Sequence, residues 1–128
     1  MCGFVFLNEL KREIKNQEVD VLLGGPPCQG FSLTGPRKFN DPRNSLYLAM
    51  FQTVEFFRPQ LFIIENVTGL KNMWGGQILE EIVEKFQGEL GYKVDWKILN
   101  SADYGVPQLR KRVFIVGVNN TIKSKFVF

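Results

Sequence analysis

The sequence contains no histidine. That excludes Cys-His and Ser-His catalytic pairs within the chain and makes a structural metal site of the zinc type improbable, so no metal is expected. Cysteine is almost as scarce. Cys2 and Cys28 are too few for a disulfide framework, and a reducing cytoplasm is the default setting for such a chain. No apolar run is long enough to span a bilayer and no stretch reads as a signal peptide, so a membrane partner is not expected. An excess of one charge is missing too: 16 basic residues face 13 acidic ones, and composition alone does not argue for nucleic acid. Repeats and low-complexity tracts are absent.

What remains describes one folded unit. A chain of 128 residues has room for one domain and one core. Its 45% hydrophobic content excludes disorder, and twelve phenylalanines imply a large core or interface. Residues 4–17 carry Leu7, Leu10 and Ile14 at helical spacing and predict an amphipathic helix. Val19 to Gly24 reads as a short buried strand. Residues 32–44 are polar, rich in Gly, Pro and Arg, and read as a long loop. Asn44 or Ser45 can cap a helix with Leu46, Met50, Val54 and Phe57 on one face, which Pro59 stops. The run 61–64 predicts a second buried strand. Gly75 and Gly76 precede a helix with Ile78, Ile82, Phe86 and Leu90 inward, closed by Gly91.

Strand, helix, strand, helix is the order of a parallel sheet with crossover helices. The pattern then changes. Tyr92, Val94, Trp96 and Ile98 alternate with charged residues, which predicts a half-exposed edge strand. A loop over 100–112 leads to the apolar run 113–116, and two strands joined without a helix are most easily antiparallel. The expected fold is therefore α/β, with a mostly parallel sheet and an antiparallel strand near one edge.

Chemistry concentrates at three strand ends. The first strand breaks at Gly24-Gly25 into Pro26-Pro27-Cys28-Gln29-Gly30-Phe31-Ser32, a stiff loop at the carboxyl edge where open α/β sheets place ligands. Cys28 is the best nucleophile candidate, and Cys2 is read as a bystander. Glu65 ends the second strand, beside Asn66-Val67, with Asn66 read as a strand anchor. Arg110 and Arg112 precede the last strand, which begins at that same edge if it runs antiparallel. A thiol, a carboxylate and guanidinium groups are thus expected around one pocket.

At these residues the chain resembles the cytosine carbon-5 DNA methyltransferases. The matching blocks are residues 24–32, Glu65-Asn66-Val67, and Gln108-Leu109-Arg110-Lys111-Arg112, with Gly35 to Asn44 similar to the active-site loop. The resemblance implies a partial Rossmann-like methyltransferase sheet acting on double-stranded DNA with S-adenosyl-L-methionine. It implies that the target base is flipped out of the duplex. Cys28 would attack carbon-6 as a thiolate, and the activated ring would take the methyl at carbon-5. Glu65, kept partly protonated by burial, would bond the ring nitrogen and exocyclic amine. Arg112 would hold the base carbonyl oxygen, with Arg110 in support. Pro27 and Leu46 would wall the cofactor, and Gln29, Ser32, Arg37, Lys38 and Arg43 would meet DNA. Such a protein would sit in the cytoplasm, on the nucleoid in a prokaryote.

The family also carries a glycine-rich cofactor loop, a target-recognition domain and a late cofactor motif, none of which matches these 128 residues. Residues 1–128 are therefore expected to form a partial catalytic domain. Two readings compete. One is a methyltransferase, of the kind used in restriction-modification, completed by further sequence or a complementing chain. The other is a non-catalytic remnant or interaction module that pairs through its exposed flank with a partner or a second copy. RNA methylation fits the Gly-Phe-Ser-Leu-Thr-Gly-Pro-Arg run less well.

Overall fold

Four strands share one sheet in the order β1-β2-β4-β3, so the last strand in sequence is inserted between the second and third. The computed structural model describes residues 2–26, 45–123 and 126–128. Its strands are β1 (Val21–Gly24), β2 (Leu61–Val67), β3 (Tyr92–Asn100) and β4 (Lys111–Asn119). The helices are α1 (Cys2–Glu13), α2 (Ser45–Phe57), α3 (Gly69–Asn72) and α4 (Gln77–Gly88). β1 and β2 pair in parallel, with α2 lying between them in sequence. β4 runs antiparallel to both β2 and β3. Three strands therefore point one way and β4 opposes them, one place in from the β3 edge. This is the mixed sheet that the change in sequence pattern predicts.

Alternation along the strands divides the sheet into two faces. Phe62 and Ile64 of β2, and Val113 and Ile115 of β4, are buried in one core with Met50, Phe51 and Val54 of α2 and Ile78, Leu79, Ile82 and Phe86 of α4. The centre of that core is aromatic. Phe86 packs 4.4 Å from Phe62 and 5.2 Å from Phe51, centroid to centroid, and Phe62 lies 5.2 Å from Tyr92. Burying each such ring contributes roughly 1.5–3 kcal/mol. The Tyr92 hydroxyl is satisfied by donating to the Pro59 carbonyl at 2.7 Å. Gly117 lies beneath the Phe62 ring, where a Cβ would come within 2.1 Å of it. Only a missing side chain lets ring and strand approach so closely.

Helix ends follow local chemistry. Arg58, at φ 48°, and buried Pro59 end α2. Gly76, at φ 95°, opens α4, and Gly91, at φ 70°, turns the chain toward β3. These are conformations that glycine adopts without steric cost.

Several expectations need correction. The first helix ends at Glu13 rather than near residue 17, because Lys15 and Asn16 turn to positive φ. Of its three predicted apolar contacts only Leu7 is buried, and Leu10 is exposed. On α2, Tyr47 and Phe51 join Met50 and Val54 inside, while Phe57 is half-buried. β1 is not a buried strand. Among the described residues it has one neighbour, and its Val21 and Leu23 side chains are 51% and 70% exposed. In β2, Leu61 and Ile63 are half-buried, since only alternate residues face the helices. Helix α3 and the 3-10 turn Met73–Gly76 form where no element was expected.

Candidate active site

Parallel pairing brings the carboxyl ends of β1 and β2 side by side, with Gly24 opposite Ile64. Antiparallel pairing brings the start of β4 to the same edge, with Val67 opposite Arg112 and Glu65 opposite Phe114. Glu65 and Arg112 lie on the face away from the helix-covered core and form an ion pair, Nε to Oε1, at 2.9 Å. The predicted carboxylate and guanidinium therefore meet. A second Arg112 donor, Nη1, bonds the Lys111 carbonyl at 2.8 Å and helps fix the side chain.

Around this pair lies a cavity of about 350 Å³ lined by Glu65, Leu99, Ser101, Tyr104, Val106, Arg110, Arg112 and Phe114. That is near the lower end of the roughly 300–1,000 Å³ typical of small-molecule sites. Glu65, Arg110 and Arg112 supply its charged groups, Ser101 and Tyr104 carry hydroxyls, and Leu99, Val106 and Phe114 are its apolar walls. Leu99 faces Arg112 across the β3–β4 ladder, so both sides of the cavity floor belong to the sheet. Such a site fits a small planar group with one hydrogen-bonding edge. A larger cavity, of about 450 Å³, contains Lys71, Asn72, Leu79 and Trp96 and none of the predicted site residues.

Asn66 points the opposite way from Glu65 and is buried. Its Nδ2 donates to the Pro26 carbonyl at 2.9 Å, and its Oδ1 accepts from the Val67 amide at 2.8 Å. It ties the end of β2 to the segment leaving β1, as a strand anchor should. A Cβ on Gly25 would lie 3.5 Å from Glu65 Oε2, so the backbone entering the cysteine segment runs beside the carboxylate.

The burial expected of Glu65 is not found: its side chain is 40% exposed and faces Arg112. Arg110 lines the cavity as predicted and is exposed. Cys28, Pro27, Gln29, Ser32, Arg37, Lys38 and Arg43 lie outside the described residues, and Leu46 is described only as backbone in the first turn of α2. Leu99, Ser101, Tyr104, Val106 and Phe114 were not predicted. Period-two alternation could have placed Leu99 and Phe114 on the Glu65 face; the folding back of residues 101–106 has no comparable signal.

The family model for C-5 cytosine-specific DNA methylases matches residues 7–127. The chain belongs to that family. This cytosine methylase chain is 42% identical over 130 residues to the Type II methyltransferase M.BspRI of Lysinibacillus sphaericus, covering 100% of itself and 30% of that protein. It is 53% identical over 100 residues to M.AgeI of Thalassovita gelatinovora, covering 78% of itself and 23% of the relative. Among solved structures, an E. coli prophage-encoded DNA modification methyltransferase superposes with a TM-score of 0.72 at 31% identity, over 94% of this chain and 32% of that one. Schizosaccharomyces pombe Dnmt2, at 24% identity and a TM-score of 0.58, shares the fold. The family member described here thus spans less than a third of M.BspRI and M.AgeI. Among its described residues no helix is long and apolar enough to cross a membrane.

Proposed function

We propose that this chain carries the base-binding and nucleophilic part of a DNA cytosine carbon-5 methyltransferase. The observation that carries the reading is the Glu65–Arg112 pair in a cavity at the strand ends, in a chain of the cytosine methylase family. A cytosine flipped out of double-stranded DNA presents an amine, a ring nitrogen and a carbonyl oxygen along one edge. Glu65 accepts from the amine, and Arg112 donates to the carbonyl oxygen. Arg110 adds positive charge at the rim, and the basic residues Arg37, Lys38 and Arg43, with Gln29 and Ser32, engage the DNA strand.

Cys28 is the proposed nucleophile. Its thiolate bonds to carbon-6 as the carbon-5–carbon-6 double bond opens, and the electron pair released toward carbon-5 takes the methyl there. A base such as water then accepts the carbon-5 proton, which restores the double bond and expels the thiolate. With no histidine in the chain, arginine charge and backbone dipoles favour the thiolate. S-adenosylmethionine supplies the methyl group when bound. The described cavity fits the base, while the residues proposed to wall the donor, Pro27 and Leu46, belong to the cysteine segment and the start of α2.

A complementing chain or further sequence is proposed to complete the enzyme. The edge of β1 that is unpaired among the described residues supports this, because an unpaired strand edge invites another strand, and exposed Val21 and Leu23 add apolar surface beside it. The same edge supports the second reading, an interaction module without catalysis.

A covalent trap tests both. The chain is mixed with S-adenosylmethionine and duplex DNA containing 5-fluorocytosine, with and without the family's upstream segment, beside a Cys28→Ser control. An adduct that appears with the upstream segment and is lost in the control supports a methyltransferase that needs completion. No adduct under either condition leaves the interaction module.

A further inference from the structure

The loop between β3 and β4 carries large apolar side chains in the open. Tyr104 is 67% exposed and Leu109 is 87% exposed. Exposed side chains of this size on a slack loop would mean little. This loop is not slack. Ser101 donates to the Arg110 carbonyl through both its amide, at 3.0 Å, and its hydroxyl, at 3.1 Å. The Arg110 amide returns a bond to Asn100 Oδ1 at 3.1 Å. Within the loop, the Val106 amide reaches the Ser101 carbonyl at 3.2 Å. Gly105, at φ 84°, reverses the chain directly after Tyr104. The base of the loop is therefore cinched, and it carries Tyr104 among the residues that line the Glu65–Arg112 cavity.

We propose that Tyr104 is the stacking wall of this cavity, covering one face of an extruded pyrimidine while Glu65 and Arg112 read its edge. The inference rests on the base-binding reading above. The division of labour follows from chemistry. A ring face offers no sequence-specific groups, so stacking on an aromatic side chain contributes affinity for any pyrimidine. Discrimination comes from the edge. Cytosine presents an amine to the Glu65 carboxylate, whereas uracil presents a carbonyl oxygen, which a carboxylate repels. A loop whose backbone is already closed at its base also loses little conformational freedom when a base arrives. Leu99 and Phe114, rising from the sheet, supply the apolar floor.

The test is a nuclear magnetic resonance titration of the 128-residue chain with deoxycytidine monophosphate and, separately, deoxyuridine monophosphate. The wild type is expected to prefer the cytosine nucleotide. Tyr104→Ala is expected to weaken both nucleotides by roughly 5- to 100-fold with their ratio preserved, and Tyr104→Phe to bind within about twofold of wild type. Glu65→Gln is expected to lower the ratio instead. A Tyr104→Ala variant that binds both nucleotides as the wild type does would overturn the stacking role and leave the base-binding reading standing. A wild type that binds both equally would sink the edge-reading role of Glu65, while a matched loss in Tyr104→Ala would still support stacking. A wild type that binds neither overturns both. Loss of the preference together with a fall in melting temperature in Tyr104→Ala would mean the ring is structural, and would overturn the proposal.

Discussion

Glu65 and Arg112, 47 positions apart in sequence, meet at 2.9 Å because β4 enters the sheet antiparallel to β2 at the edge where β2 ends. The pair is half-exposed, which separates its contribution to stability from its contribution to binding. Exposed ion pairs contribute about 0–1 kcal/mol.

Glu65→Gln and Arg112→Lys should therefore shift the urea midpoint by less than about 1 kcal/mol in folding free energy. Adduct formation with 5-fluorocytosine DNA in the completed enzyme should fall at least about tenfold for each, since lysine lacks the planar fork of arginine. Unfolding and trapping measured on the same samples decide the matter. A loss of stability that tracks the loss of trapping would make the pair structural.

Asn66 should behave in the opposite way. It is buried and serves the Pro26 carbonyl and the Val67 amide together, so Asn66→Ala leaves two backbone groups without their partner. A cost of about 1–3 kcal/mol is expected, with trapping reduced as well because the segment leading to Cys28 loses its tether. Asn66→Asp keeps the acceptor but removes the donor, and should not rescue trapping. Full trapping in Asn66→Ala would show that the tether is dispensable.

Two glycines should respond differently to alanine. A Cβ at Gly117 would lie 2.1 Å from the Phe62 ring, which is itself wedged against Phe86 and Tyr92. Gly117→Ala should cost at least about 1–3 kcal/mol, as overpacking does. At Gly24 the nearest atom, at 2.6 Å, is the Met50 sulfur, the end of a flexible side chain that can rotate away. Gly24→Ala should be the milder change. Denaturant midpoints of the two variants give the order directly.

Alkaline pH should weaken the fold through tyrosine. Burial raises the hydroxyl pKa of Tyr47 well above its usual value near 10 and also raises that of Tyr92. A raised pKa means the folded state holds the proton more tightly than the unfolded chain does. The associated stability is present in full below pH 10 and is lost as pH rises through the folded values. Melting temperatures between neutral pH and pH 11, roughly, should fall at the upper end, and less so in Tyr92→Phe. A flat profile would show that neither hydroxyl is held in its protonated form.

Much of this was legible in the chain itself. The helical spacing of Ile78, Ile82 and Phe86 predicted a buried face, and all three are buried. The alternation from Tyr92 to Ile98 predicted an edge strand, which β3 is. Glu65 and Arg112 were placed at one edge from strand order alone, because residue type, period and connection length are local properties that a sequence displays. Other features depended on which elements came to lie together. Val21 and Leu23 look like core residues and are exposed, because they alternate onto the face of β1 away from the helix-covered core, which Leu22 faces. Glu65 was expected to be buried, yet it stays half-open because the cavity opens on the face away from the helices. Tyr104 became a cavity wall only because Ser101, Asn100 and Arg110 close the loop beneath it. Composition and periodicity determined the elements and the candidate chemistry. Exposure, pairing and the shape of the site were decided by tertiary contacts between residues far apart in the chain, whose partners no local pattern names.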